Sequence, residues 1–154
     1  MSFRLNDEQR AVREMVREFG EEEIRPVARE HDEERKYPHD LVQKAAKYDL
    51  VAPSIDEEYG GAGMDTLTAA VVTEELWRAD PGIGSAIGSR GFGTTMIQRF
   101  GDEWMKEEWL PRVTSGEAAT CSCISEPAHG SDVAGMETRA VREAQSASDR
   151  SGTA

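Results

Sequence analysis

The sequence predicts a mainly α-helical domain that gives way, after about residue 117, to a single short strand and a tight loop. Three observations carry that reading. Apolar residues recur at three- and four-residue spacing from Ala11 to Tyr48 and again from Leu67 onward. From Ala118 the period shortens to two, and Ser115-Gly116 marks a turn where the change occurs. A length of 154 residues, 38% hydrophobic and 31% charged, suits one soluble domain large enough to bury a core. No apolar run approaches the length of a membrane span.

Taken in order, Asn6 or Asp7 can cap a first helix whose apolar face is Ala11, Val12, Met15, Val16 and Phe19, with Gly20 expected to end or bend it. Ile24, Val27, Ala28 and His31 mark a second helix, in which Pro26 is tolerable only in the first turn. Tyr37-Pro38 breaks the pattern, and His39-Asp40 starts a third helix bearing Leu41, Val42, Ala45, Ala46 and Tyr48. A Gly-rich loop runs from Val51 to Gly63. Asp65 caps a fourth helix offering Leu67, Ala70, Val71, Leu76 and Trp77 to the core. Asp80-Pro81 opens a stretch rich in small residues up to Gly93, a surface on which something flat or extended could lie close. Asp102 to Trp109 reads as a helix stopped by Pro111, its Trp104 and Trp109 expected in the core.

The net charge of −12 repels phosphate backbones and anionic lipid surfaces, so neither nucleic acid nor membrane is an expected partner. Arginine dominates the basic residues, and this acidic, lysine-poor balance resembles that of proteins from salt-rich cytosol. The N-terminus lacks the basic-then-apolar plan of a secretory signal, so the expected location is cytoplasmic. Runs such as Glu21-Glu22-Glu23 read as solvated faces.

The densest chemistry lies between Ala118 and Met136. Alternation along the strand puts Cys121, Cys123 and Ser125 on one face and Ser122, Ile124 and Glu126 on the other. The two cysteines point the same way, which disfavours a disulfide, and His129 beside them leaves a metal site short of a ligand; buried small hydrophobes is the expectation. Pro127 fixes one backbone angle and Gly130 frees another, so the chain must turn. Such a turn leaves N–H groups unpaired beside the Ser125 and Ser131 hydroxyls, a combination able to receive a carbonyl-rich ring or a phosphate oxygen.

Ser125-Glu126-Pro127, two residues, then Gly130-Ser131-Asp132-Val133-Ala134-Gly135 resembles the flavin-contacting loop of the acyl-CoA dehydrogenase family. Glu58-Tyr59-Gly60-Gly61-Ala62-Gly63, Gly101-Asp102-Glu103, and Leu110-Pro111 followed by Ser115-Gly116-Glu117 extend the likeness across roughly residues 3 to 142. The resemblance implies that family's N-terminal helical bundle over 1–117 and, over 118–140, the first strand and flavin loop of a middle β-domain. The Ser- and Ala-rich stretch 141–154 is expected to be disordered, and a truncated or frame-shifted product would explain it.

The activity implied is α,β-dehydrogenation of an acyl-CoA thioester, an oxidoreductase reaction of fatty acid metabolism, with FAD as cofactor and acyl-CoA as substrate. Electron-transfer flavoprotein is the implied acceptor, and a homo-oligomer the assembly the family commonly forms. By the same resemblance Ser122, Ile124, Ser125, Gly130 and Ser131 would contact FAD, and Ser131 would also touch the pantetheine arm of the substrate. No catalytic base carries over, because the family places it in a C-terminal domain; Glu126 is expected to hold the turn instead. Met136 to Ala140 resembles the glutaryl-CoA dehydrogenases, but their arginine for the distal carboxylate would fall where Ile83 or Gly84 stands, which leaves the acyl group unspecified. Two alternatives are a non-catalytic helical module that associates with a full-length relative, and a relic that does not fold stably.

Overall fold

The computed structural model of the chain describes residues 4–141. They divide into two units, one ending at Ser122 and one starting at Cys123. The first is helical, as the apolar spacing requires. Helix α1 (Asp7–Phe19) opens with a reciprocal cap in which the Asn6 side chain accepts from the Gln9 amide at 2.8 Å while the Gln9 side chain accepts from the Asn6 amide at 3.1 Å.

As expected, α1 ends at Gly20, its C-cap, although the chain does not leave a helical path there. A π turn (Gly20–Ile24) carries the chain straight into α2 (Arg25–Glu34), with Gly20 at a helical φ of −62°. Glycine is needed there for a different reason: a Cβ would stand 2.8 Å from the Cβ of Ala79 on the helix packed against it. Pro26 sits in the first turn of α2, directly after the π turn, and has no N–H to give to the turn before it.

After α3 (His39–Ala46) a long loop reaches α4 (Thr66–Ala79), which is capped by Asp65 accepting from the Thr68 amide at 2.7 Å. Leu50, Val51, Ile55 and Tyr59 of that loop are buried, so it belongs to the core. Asp80 caps α5 (Pro81–Gly88), and α6 (Thr94–Phe100) and α7 (Glu103–Thr114) complete the unit.

The core joins Val16, Phe19 and Ile24 to Leu41, Val42, Val72, Leu76, Ile83, Ile87, Leu110 and Val113. Two of these, Leu110 and Val113, explain why Pro111 does not stop α7. The proline costs about 3 kcal/mol in a helix interior, and fully burying Leu110 and Val113 on either side returns roughly 1.5–3 kcal/mol each.

The tryptophans depart from expectation. Trp77 is 50% exposed, Trp104 62% and Trp109 37%. Each is rotated off the buried face of its helix; Trp77 follows the buried Leu76 by one residue, about 100° around the axis. Trp109 instead receives the Arg112 guanidinium 5.0 Å from its ring centroid. Leu67 and Ala70 are likewise exposed, leaving Val71, Val72 and Leu76 as the apolar contribution of α4.

A charged residue sits where none was expected. Glu75, only 3% exposed, accepts from Arg17 at 2.6 and 3.1 Å and from Arg78 at 2.7 Å, and Arg78 reaches Glu21 at 3.0 Å. Burial pushes the Glu75 carboxyl up, but hydrogen bonds from Arg17 and Arg78 outweigh it and hold the group below its ordinary value. The network ties α1, the π turn and α4 together.

Candidate functional site

The chain leaves α7 through Gly116 and runs extended past the end of α5. Arg90 secures it: Nη2 donates to the carbonyls of Gly116 at 2.9 Å and Ala118 at 3.1 Å, and Nη1 to the Tyr37 hydroxyl at 3.2 Å. The Thr120 amide and hydroxyl both donate to the Arg90 carbonyl, at 3.0 and 3.2 Å. Here the expected strand over 118–125 is corrected. A single parallel bridge, Gly91 to Thr120, is all that forms, and no strand ladder occurs among the described residues. Gly93 already has φ 93° and leads into α6, so no partner strand runs beside the segment.

That missing ladder also exposes both cysteines, which were expected to be buried. Ser122, at the end of this unit, is exposed. Gly93 lies directly behind it: an added Cβ would stand 3.3 Å from both Ser122 Oγ and the Cys121 carbonyl, in a backbone region that side chains rarely adopt. A cavity of about 330 Å³ opens beside these residues, between Tyr37, Arg90, Phe92, Thr120 and Ser122. Within the small-residue stretch, Gly84 is taken up by packing on the Leu76 carbonyl, whereas Gly88 faces open space.

The second unit holds the other candidates. Glu126 organises it: its carboxylate accepts from the Glu137 amide at 2.9 Å, the Thr138 amide at 2.7 Å and the Thr138 hydroxyl. Its backbone pairs with His129 in both directions, at 2.7 and 3.2 Å, closing the turn around Pro127. Asp132 then accepts from the Gly135 amide at 3.2 Å, capping a 3-10 turn (Val133–Gly135). The amide of Glu137 first, then the hydroxyl and amide of Thr138, hold the Glu126 carboxyl below its ordinary value. This is the turn-holding carboxylate the sequence implied, an ionised acceptor already engaged and not poised to take a proton.

Ile124, Ser125, Gly130 and Ser131 all lie exposed on this loop. Gly130 does not use a positive φ, so the turn does not depend on its conformational freedom; it leaves more than 4 Å of open space instead. No cluster able to hold a metal ion occurs among the described residues. No helix there is long and apolar enough to cross a membrane. Residues 142–154, which include nearly all of the expected disordered tail, lie outside the described residues. Sequence reasoning did not find Arg90 and Tyr37, because bonds from a side chain to distant carbonyls leave no periodic signal.

With this geometry in place, similarity to known proteins is informative. The family profile described as acyl-CoA dehydrogenase, N-terminal domain, matches residues 6–117. The short-chain specific acyl-CoA dehydrogenase of Clostridium acetobutylicum is 35% identical over 144 residues, 93% of this chain and 38% of that protein. A solved structure of glutaryl-CoA dehydrogenase from Mycobacterium smegmatis in complex with FADH2 superposes with a TM-score of 0.79 and 31% identity, over 90% of this chain and 36% of that one. A solved structure of the electron transferring flavoprotein of Acidaminococcus fermentans gives a TM-score of 0.82 at 29% identity, over 93% of this chain and 38% of that one. The chain thus spans well under half the length of these proteins.

Proposed function

The chain belongs to the acyl-CoA dehydrogenase family through its N-terminal domain, and from that premise we propose that it supplies the helical domain and flavin-contacting loop for α,β-dehydrogenation of acyl-CoA thioesters. The observation that carries this reading is the loop closed by Glu126, which keeps Ser125 and Ser131 exposed with open space at Gly130. Such a loop fits FAD: two hydroxyls can donate to or accept from ring heteroatoms, and a residue without a side chain admits a flat group.

Ser122, Ile124, Ser125, Gly130 and Ser131 hold the cofactor in this reading, and Ser131 also meets the pantetheine arm of the substrate. Bound FAD supplies the acceptor for the hydride that leaves the β-carbon. Ile124 would offer the cofactor an apolar side chain, and the serine hydroxyls would offer it hydrogen bonds. Glu126 holds the loop and takes no proton. Electron-transfer flavoprotein is the proposed electron acceptor.

A flavin titration of the 154-residue chain tests this, with Ser125 and Ser131 both replaced by alanine as the control. Quenching of FAD fluorescence that is lost in the double variant supports the reading. Equal binding by both proteins, or by neither, sinks it. A second reading, a helical module that associates with a full-length relative, is favoured by one observation. Met96 and Phe100 on α6, Phe92 just before it and Trp104 at the start of α7 are all large, apolar and exposed. Co-purification with a full-length homologue, abolished by Phe100→Glu, is its test.

A further inference from the structure

Arg90 stands just past the last turn of α5 and, in a chain with 30 acidic residues, pairs with no carboxylate among the described residues. Its guanidinium is committed to main-chain carbonyls at Gly116 and Ala118, while its own carbonyl takes both donors of Thr120. One residue therefore grips an extended run at three alternate positions, 116, 118 and 120. Apart from the Gly91–Thr120 bridge the run has no sheet neighbour among the described residues to fix its register. The planar guanidinium serves two carbonyls and a hydroxyl from two nitrogens held in fixed geometry, whereas an ammonium would have to reach all three from a single nitrogen on a flexible stem.

Gly116 has a second donor, Gln43 Nε2 at 2.8 Å, so its end of the run stays anchored without Arg90. The Ala118 carbonyl has no other partner among the described residues. Loss of the guanidinium would thus be felt from Ala118 onward, in the extended residues that lead to Ser122.

We propose that Arg90 is a positioning residue that sets the register of 116–120 and, through it, the place of Ser122, an inference that rests on the reading of Ser122 as an FAD contact. It acts through the backbone and touches no cofactor. Lysine at this position would reach one carbonyl and restore part of the effect.

The test uses the full chain as Arg90→Gln and Arg90→Lys, each with Ser122 and with Ser122→Ala. Without flavin, the Thr120 amide is expected to exchange about tenfold faster in R90Q and less so in R90K, with the Leu76 amide unchanged. With flavin, R90Q should weaken FAD binding about fivefold when Ser122 is present and add nothing to Ser122→Ala. Unchanged exchange at Thr120 overturns the proposal, and so does an equal loss of FAD affinity in both backgrounds. If the parent chain takes up no FAD while R90Q still speeds Thr120 exchange, the positioning holds and the cofactor reading is what fails. Should R90Q lose its folded core, R90K carries the same comparison.

Discussion

The helical unit and the loop after it solve the same problem, holding a chain in place, by opposite means. The first buries a continuous apolar cluster from Val16 to Val113, with one ion network at Glu75. The second buries no side chain among its described residues and is held by polar bonds, chief among them those of the Glu126 carboxylate, with two backbone amides and a hydroxyl as its donors. Burial is redundant and insensitive to pH, whereas a polar hub is economical in residues and vulnerable at one atom pair. A surface meant to receive a ligand has reason to be built the second way, since apolar burial would consume the groups it must present.

The contrast can be broken at its strongest point first. Leu110→Ala removes a fully buried side chain next to Pro111 and is expected to cost about 2–5 kcal/mol, read as a lower thermal midpoint by circular dichroism. It also removes half of what offsets the proline, so helicity at the end of α7 should fall disproportionately. A midpoint within a degree or so of the parent, on the order of 0.3 kcal/mol or less, would mean that Leu110 does not anchor the core.

Glu75→Gln sharpens the comparison by putting a polar hub inside the apolar unit. Its partners Arg17 and Arg78 are partly exposed and can rehydrate, so the expected loss is about 2 kcal/mol, below that for a fully buried pair. Because the folded-state carboxyl is held below its ordinary value, its contribution is present above that value and lost as pH falls through the lowered one. The difference in stability between parent and Glu75→Gln should therefore shrink in acid. A gap that stays constant with pH would show that the charge is not what matters.

The smallest global effect belongs to Glu126→Gln. The thermal midpoint is expected to hold while the Glu137 and Thr138 amides exchange faster, because the carboxylate that fixes both is gone. In the parent chain the same loosening follows from acid: the Glu126 carboxyl is also depressed, so the loop holds above the ordinary carboxylate value and opens as pH drops through its own. Amide chemical shifts of Glu137 and Thr138 across that range report it. Shifts that titrate identically in Glu126→Gln would assign the transition to another group.

What could be read in advance follows the same division. Helix starts were legible at Asn6, Asp65 and Asp80, because a cap is a bond between residues three apart. The apolar face was legible for Val16, Leu41 and Leu76, since period alone places them. Trp104 and Trp109 misled because size and apolarity do not say which face a neighbouring helix covers. The strand misled because alternation describes a chain able to pair, and pairing needs a neighbour the described residues do not provide. Glu75 and Arg90 were invisible for one reason: Arg17 lies 58 residues from Glu75, and Ala118 lies 28 from Arg90. Glu126 was legible because it stands beside Pro127 in one recognisable motif, although its donors, 11 and 12 residues on, lie just past that motif's end.

The π turn at Gly20–Ile24 has an implication for how this chain can change length. From Asp7 to Glu34 the backbone never leaves a helical path, yet the wide turn absorbs about one residue more than an α-helix of the same span would need. Deleting Glu22, which unlike Glu21 and Glu23 is not one of the partners of Arg78 or Lys44, would thus leave the helical path continuous. The phase of α1 against α2 would be kept, and at Glu22 the edit would fall on an exposed position. An equivalent deletion inside α4 would swing every later residue of that helix by about 100° and carry Leu76 out of the core. The segment is a built-in place where the gene can lose a codon without losing the fold.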